Sequence, residues 1–222
     1  MIRLHIVRHG EPAWHVDGRA VDDPGLTDQG LREVKALSER ISAEHFDAVY
    51  VSPLRRALET AQPVAETLAL EPQICDWLAE LGHPPFEGNP WEDVEKAFLR
   101  ARARPLAESW DGMPGGESFH EFHRRVTDGL EGLLSNACGA SSWETDGYRM
   151  WSTPPDDIAL LLVCHGGTSA VVLSHLLQLE IVPWTHERFP LSTGGSSELQ
   201  TRRLSAGEIW TLVRFEATTR LY

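Results

Sequence analysis

Cysteine is scarce in this 222-residue chain: Cys75, Cys138 and Cys164 are widely spaced and odd in number. No two form a C-x-x-C pair, so neither a disulfide framework nor a cysteine-built zinc site is expected, and a reducing cytoplasm is favoured. Long apolar runs are missing too. Nothing approaches the roughly 20 consecutive apolar residues of a membrane span. The opening MIRLHIVRHGEP lacks a secretory apolar core and a small-residue cleavage site, and reads as a first strand. Positive charge is the third shortage: 20 Lys and Arg face 33 Asp and Glu, for a net charge of −13. Affinity for nucleic acid or an anionic membrane comes mainly from cations neutralising phosphates, so neither is an expected partner. A small anionic substrate remains compatible, provided that a local cluster of arginine meets it.

What is present describes one globular domain over residues 1–222. Its hydrophobic fraction of 41% suffices for a sizeable core. Arg3–Arg8 alternates and stops at His9-Gly10, as a strand does at a turn. Thr27 caps a helix whose Leu31, Val34, Leu37 and Ile41 fall at helical spacing. Asp47–Ser52 is a second strand, and Arg55–Leu68 a helix in which Pro63 predicts a kink or break. Residues 76–114 gather Pro, Gly and Trp around one amphipathic piece, Trp91–Arg102, and read as a lid inserted over the sheet. Glu117–Leu134 is helical. Residues 136–157 are polar and predicted to be an exposed loop.

Ile158–Cys164 (IALLLVC) is a continuous apolar run, typical of a strand buried on both faces, and it too ends at His-Gly. A helix over Thr168–Leu179 follows. Two last strands, Ser196–Arg203 and Glu208–Phe215, suggest a hairpin around Ala206-Gly207. Alternating strands and helices give the α/β class: a three-layer α/β/α fold with a mainly parallel central sheet, helices on both faces and the lid insertion.

Ligands in open α/β sheets bind beyond the carboxyl ends of the strands. Two strands deliver a histidine to such an end, V-R-H-G-E at His9 and V-C-H-G-G at His165. Arg8 adjoins the first, and S-P-L-R-R-A brings Arg55 and Arg56 to the same rim. Two imidazoles and at least two guanidiniums match what phosphoryl transfer needs. Cations meet the equatorial oxygens, one neutral imidazole attacks phosphorus, and a carboxyl group handles the leaving oxygen and then water. Activity is then expected to fall in mild acid, as His9 protonates.

At these residues the chain resembles the histidine phosphatase superfamily, which contains cofactor-dependent phosphoglycerate mutases and many phosphatases. The resemblance spans nearly the whole length. It rests on R-H-G-E at Arg8, L-T-D-Q-G at Leu26, S-P-L-R-R-A-L-E-T-A at Ser52, G-G-E-S at Gly115 and H-G-G at His165. It implies that His9 forms a phosphohistidine and that Arg8, Arg56 and His165 hold the phosphoryl group, with His15 and Gly166 as further phosphate contacts. The arginine preceding alanine carries the motif, which selects Arg56 over Arg55. L-A-E at Leu78 followed by Glu87-Gly88 makes Glu80 the acid/base, with Glu87 and Asp76 as alternative carboxylates. Two departures stand out: His15 where the family usually has Asn, and Pro84 where it has Gly.

The expected activity is hydrolysis of a small phosphorylated metabolite, without metal or other cofactor. The mutase alternative is disfavoured because Leu81, not a basic residue, follows Glu80. A catalytically weak binding protein on the same fold is the other alternative. The i, i+3 pair His120 and His123 suits a solvated helix face better than a metal site. Arg100, Arg102 and Arg104 could reach an anionic substrate tail from the lid, but a solvated helix with its basic end near the C-terminus, which suits the macrodipole, is slightly favoured. Nothing in the sequence fixes an oligomeric state or names the substrate.

Overall fold

Strand β1 (Ile2–Arg8) opens the chain, and all of its residues but Arg3 and Arg8 are buried. The structure, a computed structural model, describes residues 1–205 and 207–216. A short hairpin follows, β2 (His15–Val16) and β3 (Arg19–Ala20), then α1 (Asp28–Ile41), β4 (Ala48–Val51), α2 (Arg55–Leu68) and β5 (Pro72–Ile74). Segment 76–114 contains α3 (Trp91–Arg102) between two 3-10 turns, Asp76–Leu78 and Leu106–Asp111. The remainder is α4 (Phe119–Cys138), β6 (Ser141–Thr145), β7 (Tyr148–Ser152), β8 (Ile158–Cys164), α5 (Gly166–Leu176), α6 (Thr185–Arg188), β9 (Ser196–Leu204) and β10 (Gly207–Phe215).

Eight strands form one sheet in the order β5-β4-β8-β1-β9-β10-β7-β6. Strands β5, β4, β8 and β1 pair in parallel, and every pairing from β9 outward is antiparallel. Because β10 and β6 turn back to the direction of β1, the sheet is mainly parallel in strand direction. Both faces are covered. Leu37 and Ile41 of α1 and Ala57, Ala61 and Val64 of α2 pack on Val49, Val51, Leu161 and Val163. On the other face Phe122, Val126, Leu130 and Leu134 of α4 and Val172 and Leu173 of α5 pack on Leu4, Ile6, Leu160 and Leu162. Each fully buried Leu or Ile is worth about 1.5–3 kcal/mol, which is why the unbroken apolar run of β8 occupies the middle of the sheet.

Three expectations need correction. Residues 136–157 are not a loop: α4 continues to Cys138, and β6 and β7 form a hairpin that extends the sheet. The hairpin turns on Asp146-Gly147, both at positive φ (52° and 81°), the backbone that a two-residue primed turn requires. Its outer strand β6 is exposed throughout and therefore shows no apolar pattern. Pro63 does not break α2, because Ala61, Val64 and Ala65 are buried on either side of it and anchor the helix through that point. Helix α5 begins at Gly166, two residues before the expected start, and ends at Leu176. Of the Ala206-Gly207 turn, Ala206 lies outside the described residues.

Candidate active site

The parallel register builds the site. Arg8 lies opposite Cys164 and Val51 opposite Val163, so His9, His165 and Ser52 leave neighbouring strand ends at nearly one level. The His9 and His165 rings meet edge to face, 5.0 Å between centroids. Loop His9–Glu11 is pressed onto the start of α1, where any side chain on Gly30 would collide with the Glu11 carbonyl. That contact gives L-T-D-Q-G its glycine. Thr27 caps the same helix by accepting the Gly30 N–H at 3.0 Å.

His9 is 3% exposed. Its Nδ1–H donates to the Gly10 carbonyl at 2.7 Å, so Nε2 carries the lone pair, which accepts the Arg56 Nε–H at 3.3 Å. Burial, then Arg56 and Arg8, push its pKa down to about 3 against the opposing Gly10 bond. The imidazole therefore stays neutral through mild acid. This corrects the expected acid-side loss: His9 keeps its lone pair well below its ordinary pKa.

His165 is fully buried, and its Nε2 lies 2.7 Å from Ser52 Oγ. Ser52 Oγ also accepts the Leu54 N–H at 3.3 Å, and its own O–H can donate to Nε2. The His165 proton then sits on Nδ1. Burial first, then His9, Arg56 and Arg8, hold the His165 pKa well below the usual value.

Arg56, 4% exposed, lies with its guanidinium 4.8 Å from the Trp14 ring and its Nη1 3.6 Å from Asp23 Oδ1. Arg55 instead points outward and pairs with Glu59 at 2.7 Å. Arg8 donates from Nη1 to the Leu191 carbonyl at 2.6 Å, and its Nε lies 3.5 Å from where a Cβ on Gly166 would stand. Three buried donors in this cluster have no hydrogen-bond partner: Arg8 Nε, Arg56 Nη1 and His165 Nδ1. Buried donors are nearly always paired, so three around one neutral imidazole mark a place shaped for an acceptor-rich anion.

Glu80 completes the group. Its carboxylate accepts the Gly167 N–H at 2.9 Å and the Leu81 N–H at 3.1 Å, at the positive end of α5. A side chain on Gly167 would overlap that carboxylate, so the second glycine of H-G-G makes room for it. The alternative carboxylates are elsewhere: Glu87 accepts the Asp22 N–H, and Asp76 is exposed in its 3-10 turn. His15 stands exposed on β2 with its ring 5.1 Å from Trp91. Trp14, Asp23 and Ser52 are contacts that the sequence reading missed. Of these, Ser52 was within reach, because S-P-L-R-R-A begins with it.

Other candidates resolve differently. His120 stacks on Trp110 at 4.2 Å, while His123 is buried and bonded to the Val182 backbone. Among the described residues, one group has the spacing of metal ligands: His5, Glu44 and Glu198, on β1, after α1 and on β9. The Arg214 guanidinium already lies 3.4–3.5 Å from all three and supplies the cation. Cys164 is fully buried and its thiol is pushed up to about 12 by burial, as suits a core residue. No helix among the described residues is long and apolar enough to cross a membrane.

Known proteins bear on this arrangement. Residues 4–215 match the model of the histidine phosphatase superfamily (branch 1), and the chain belongs to that family. Phosphoserine phosphatase 1 of Hydrogenobacter thermophilus is 34% identical over 134 residues, covering 59% of this chain and 64% of that protein. The chain spans between 39% and 64% of the length of the first curated relatives it matches. Two solved structures share the fold. Mycobacterial glucosyl-3-phosphoglycerate phosphatase has a TM-score of 0.72 at 24% identity, covering 97% of this chain and 99% of that one. The alpha-ribazole phosphatase of Shigella flexneri has a TM-score of 0.70 at 21% identity, covering 98% and 100%.

Proposed function

We propose that the protein hydrolyses a small phosphorylated metabolite through a covalent phosphohistidine at His9. The observation that carries this reading is the set of three buried donors with no hydrogen-bond partner, Arg8 Nε, Arg56 Nη1 and His165 Nδ1, around the lone-pair-bearing Nε2 of a neutral His9. In the first step Nε2 attacks phosphorus, the bond from phosphorus to the ester oxygen breaks, and Glu80 gives that oxygen its proton. In the second, water attacks phosphorus, Glu80 takes back a proton, and the P–N bond breaks. The net change is ester plus water to alcohol plus phosphate. Arg8 and Arg56 meet charge on the equatorial oxygens, joined by the Gly166 end of α5. Segment 76–114 acts as the lid, and no metal takes part.

A mutase reading has less support. Leu81 follows Glu80, and Arg102 and Arg104 are engaged with Glu187 and the Gly112 carbonyl. The test is a panel of monoesters that includes phosphoserine, glucosyl-3-phosphoglycerate, alpha-ribazole-5′-phosphate and an aryl phosphate. Turnover is expected to persist unchanged in excess chelator, with an acid-labile, base-stable phosphoenzyme trapped by quenching. Pure folded protein that turns over no ester would overturn the proposal, and loss of turnover in chelator would overturn its metal-free part.

Ser52→Ala gives a finer test. Without the hydroxyl donor to Nε2, the His165 proton is no longer confined to Nδ1. A loss of about 1–1.5 kcal/mol is expected, read as roughly tenfold weaker competitive inhibition by inorganic phosphate. An unchanged inhibition constant would mean that something other than Ser52 sets the tautomer.

A further inference from the structure

Glu80 sits in a stretch with no regular structure. Residues 80–86 belong to no helix or strand, so the backbone ladder does not hold this carboxylate where a leaving oxygen could reach it. Side chains do that work. Arg125, on the second turn of α4, donates from Nη1 to the carbonyls of Trp77 (3.0 Å) and Ala79 (3.1 Å), and from Nη2 to that of Glu80 itself (3.3 Å). A longer contact reaches Asp76, at 3.4 Å.

The same guanidinium forks onto Glu117, Nε to Oε1 at 2.9 Å and Nη2 to Oε2 at 2.8 Å. Glu117 in turn grips the far side of Glu80: its Oε2 accepts the Gly82 N–H at 3.0 Å, and its own N–H donates to the Gly82 carbonyl at 2.7 Å. On the α5 side, Thr168 Oγ1 donates to the Ala79 carbonyl at 3.0 Å. The backbone is thus tied before, at and after Glu80, and the Glu117–Arg125 pair supplies a tie at each of the three places.

We propose that Arg125, locked by Glu117, is a positioning residue that aims the Glu80 carboxyl group at the leaving oxygen. The inference rests on the reading of Glu80 as proton donor. A planar fork is required, because one ammonium on lysine cannot serve three carbonyls and both carboxylate oxygens at once. A proton donor displaced by about 1 Å loses on the order of 10²-fold in rate. That loss falls only on esters whose leaving oxygen needs a proton. An ester of an acidic phenol departs as the anion and is indifferent to where Glu80 points.

The experiment compares kcat/KM for phenyl phosphate and 2,4-dinitrophenyl phosphate in wild type, Arg125→Lys, Glu117→Gln and Glu80→Gln. This parameter covers formation of the phosphoenzyme and release of the alcohol, so slow hydrolysis of phosphohistidine does not mask the result. Arg125→Lys is expected to lose about 30–100-fold on phenyl phosphate and no more than about threefold on the dinitrophenyl ester, following the scale of general-acid effects. Glu80→Gln is expected to show the same selectivity, more strongly. Equal losses on both esters in Arg125→Lys, or no loss on either, would overturn the positioning role. If the lysine variant does not fold, Glu117→Gln, which keeps the arginine, is read by the same criterion. If Glu80→Gln loses both esters equally, Glu80 is not the acid, and the positioning role falls with it. A selective Glu80→Gln beside an unselective Arg125→Lys removes the positioning role alone.

Discussion

His9→Ala is expected to lower kcat/KM for any monoester by about 10⁴-fold or more, the scale on which loss of a covalent nucleophile is felt. The argument is geometric before it is chemical. The lone pair of Nε2 is held in place by the Gly10 bond on Nδ1 and accepts the Arg56 Nε–H. The other imidazole, His165, turns its Nε2 toward Ser52. Binding of inorganic phosphate is expected to survive, because the variant keeps Arg8, Arg56 and His165. Initial rates with an aryl phosphate, set beside calorimetric phosphate binding, separate the two effects. A residual rate within tenfold of wild type would show that the nucleophile lies elsewhere. Loss of phosphate binding together with activity would show that His9 organises the anion site instead of attacking within it.

Much of this site was legible because strand ends announce it. Ile158–Cys164 reads as an interior strand, and two strands ending in His-Gly bring two imidazoles to one edge of the sheet. Arg56 could be separated from Arg55 by the motif, and the structure buries the first while exposing the second. Other features depend on register or on distant contacts. Nothing local says that Arg8 stands opposite Cys164, although that pairing brings the two imidazoles together. The hairpin over 141–152 was hidden because its outer strand is wholly exposed and carries no alternation. Asp146-Gly147 was the signal available, as Asp17-Gly18 was for the smaller hairpin of β2 and β3. G-G-E-S was visible as a motif, yet the task of Glu117 appears only when Arg125 and Gly82 are seen on either side of it.

The same burial that keeps His9 neutral is expected to make the fold sensitive to acid. Four histidines are held neutral, each chiefly by burial: His9 at about 3, His5 and His123 at about 4, and His165 well below its usual value. For His5 the neighbouring Glu44 opposes the shift while Arg214, Arg3 and Arg40 add to it; for His123 a backbone bond to Val182 opposes it and His120 adds to it. Unfolding releases all four to a pKa near 6.5. The unfolded chain therefore binds more protons between that value and the folded ones, so stability is complete above about pH 6.5 and falls as pH drops. Each histidine contributes about 1.4 kcal/mol per pH unit once the unfolded form is charged. Between pH 6.5 and 5 His5, His9 and His123 together lose on the order of 5 kcal/mol, comparable with the whole stability of many domains, and His165 adds in the same direction. Urea unfolding at half-unit intervals is expected to show the midpoint sliding steadily through this range, with uptake of about three to four protons near pH 5.5. His123→Gln, remote from the catalytic cluster, should remove about one of those protons. A midpoint that stays level from pH 7 to 5 would mean that these imidazoles are accessible to protons in the folded state, and the neutral, lone-pair-bearing His9 would be lost with them.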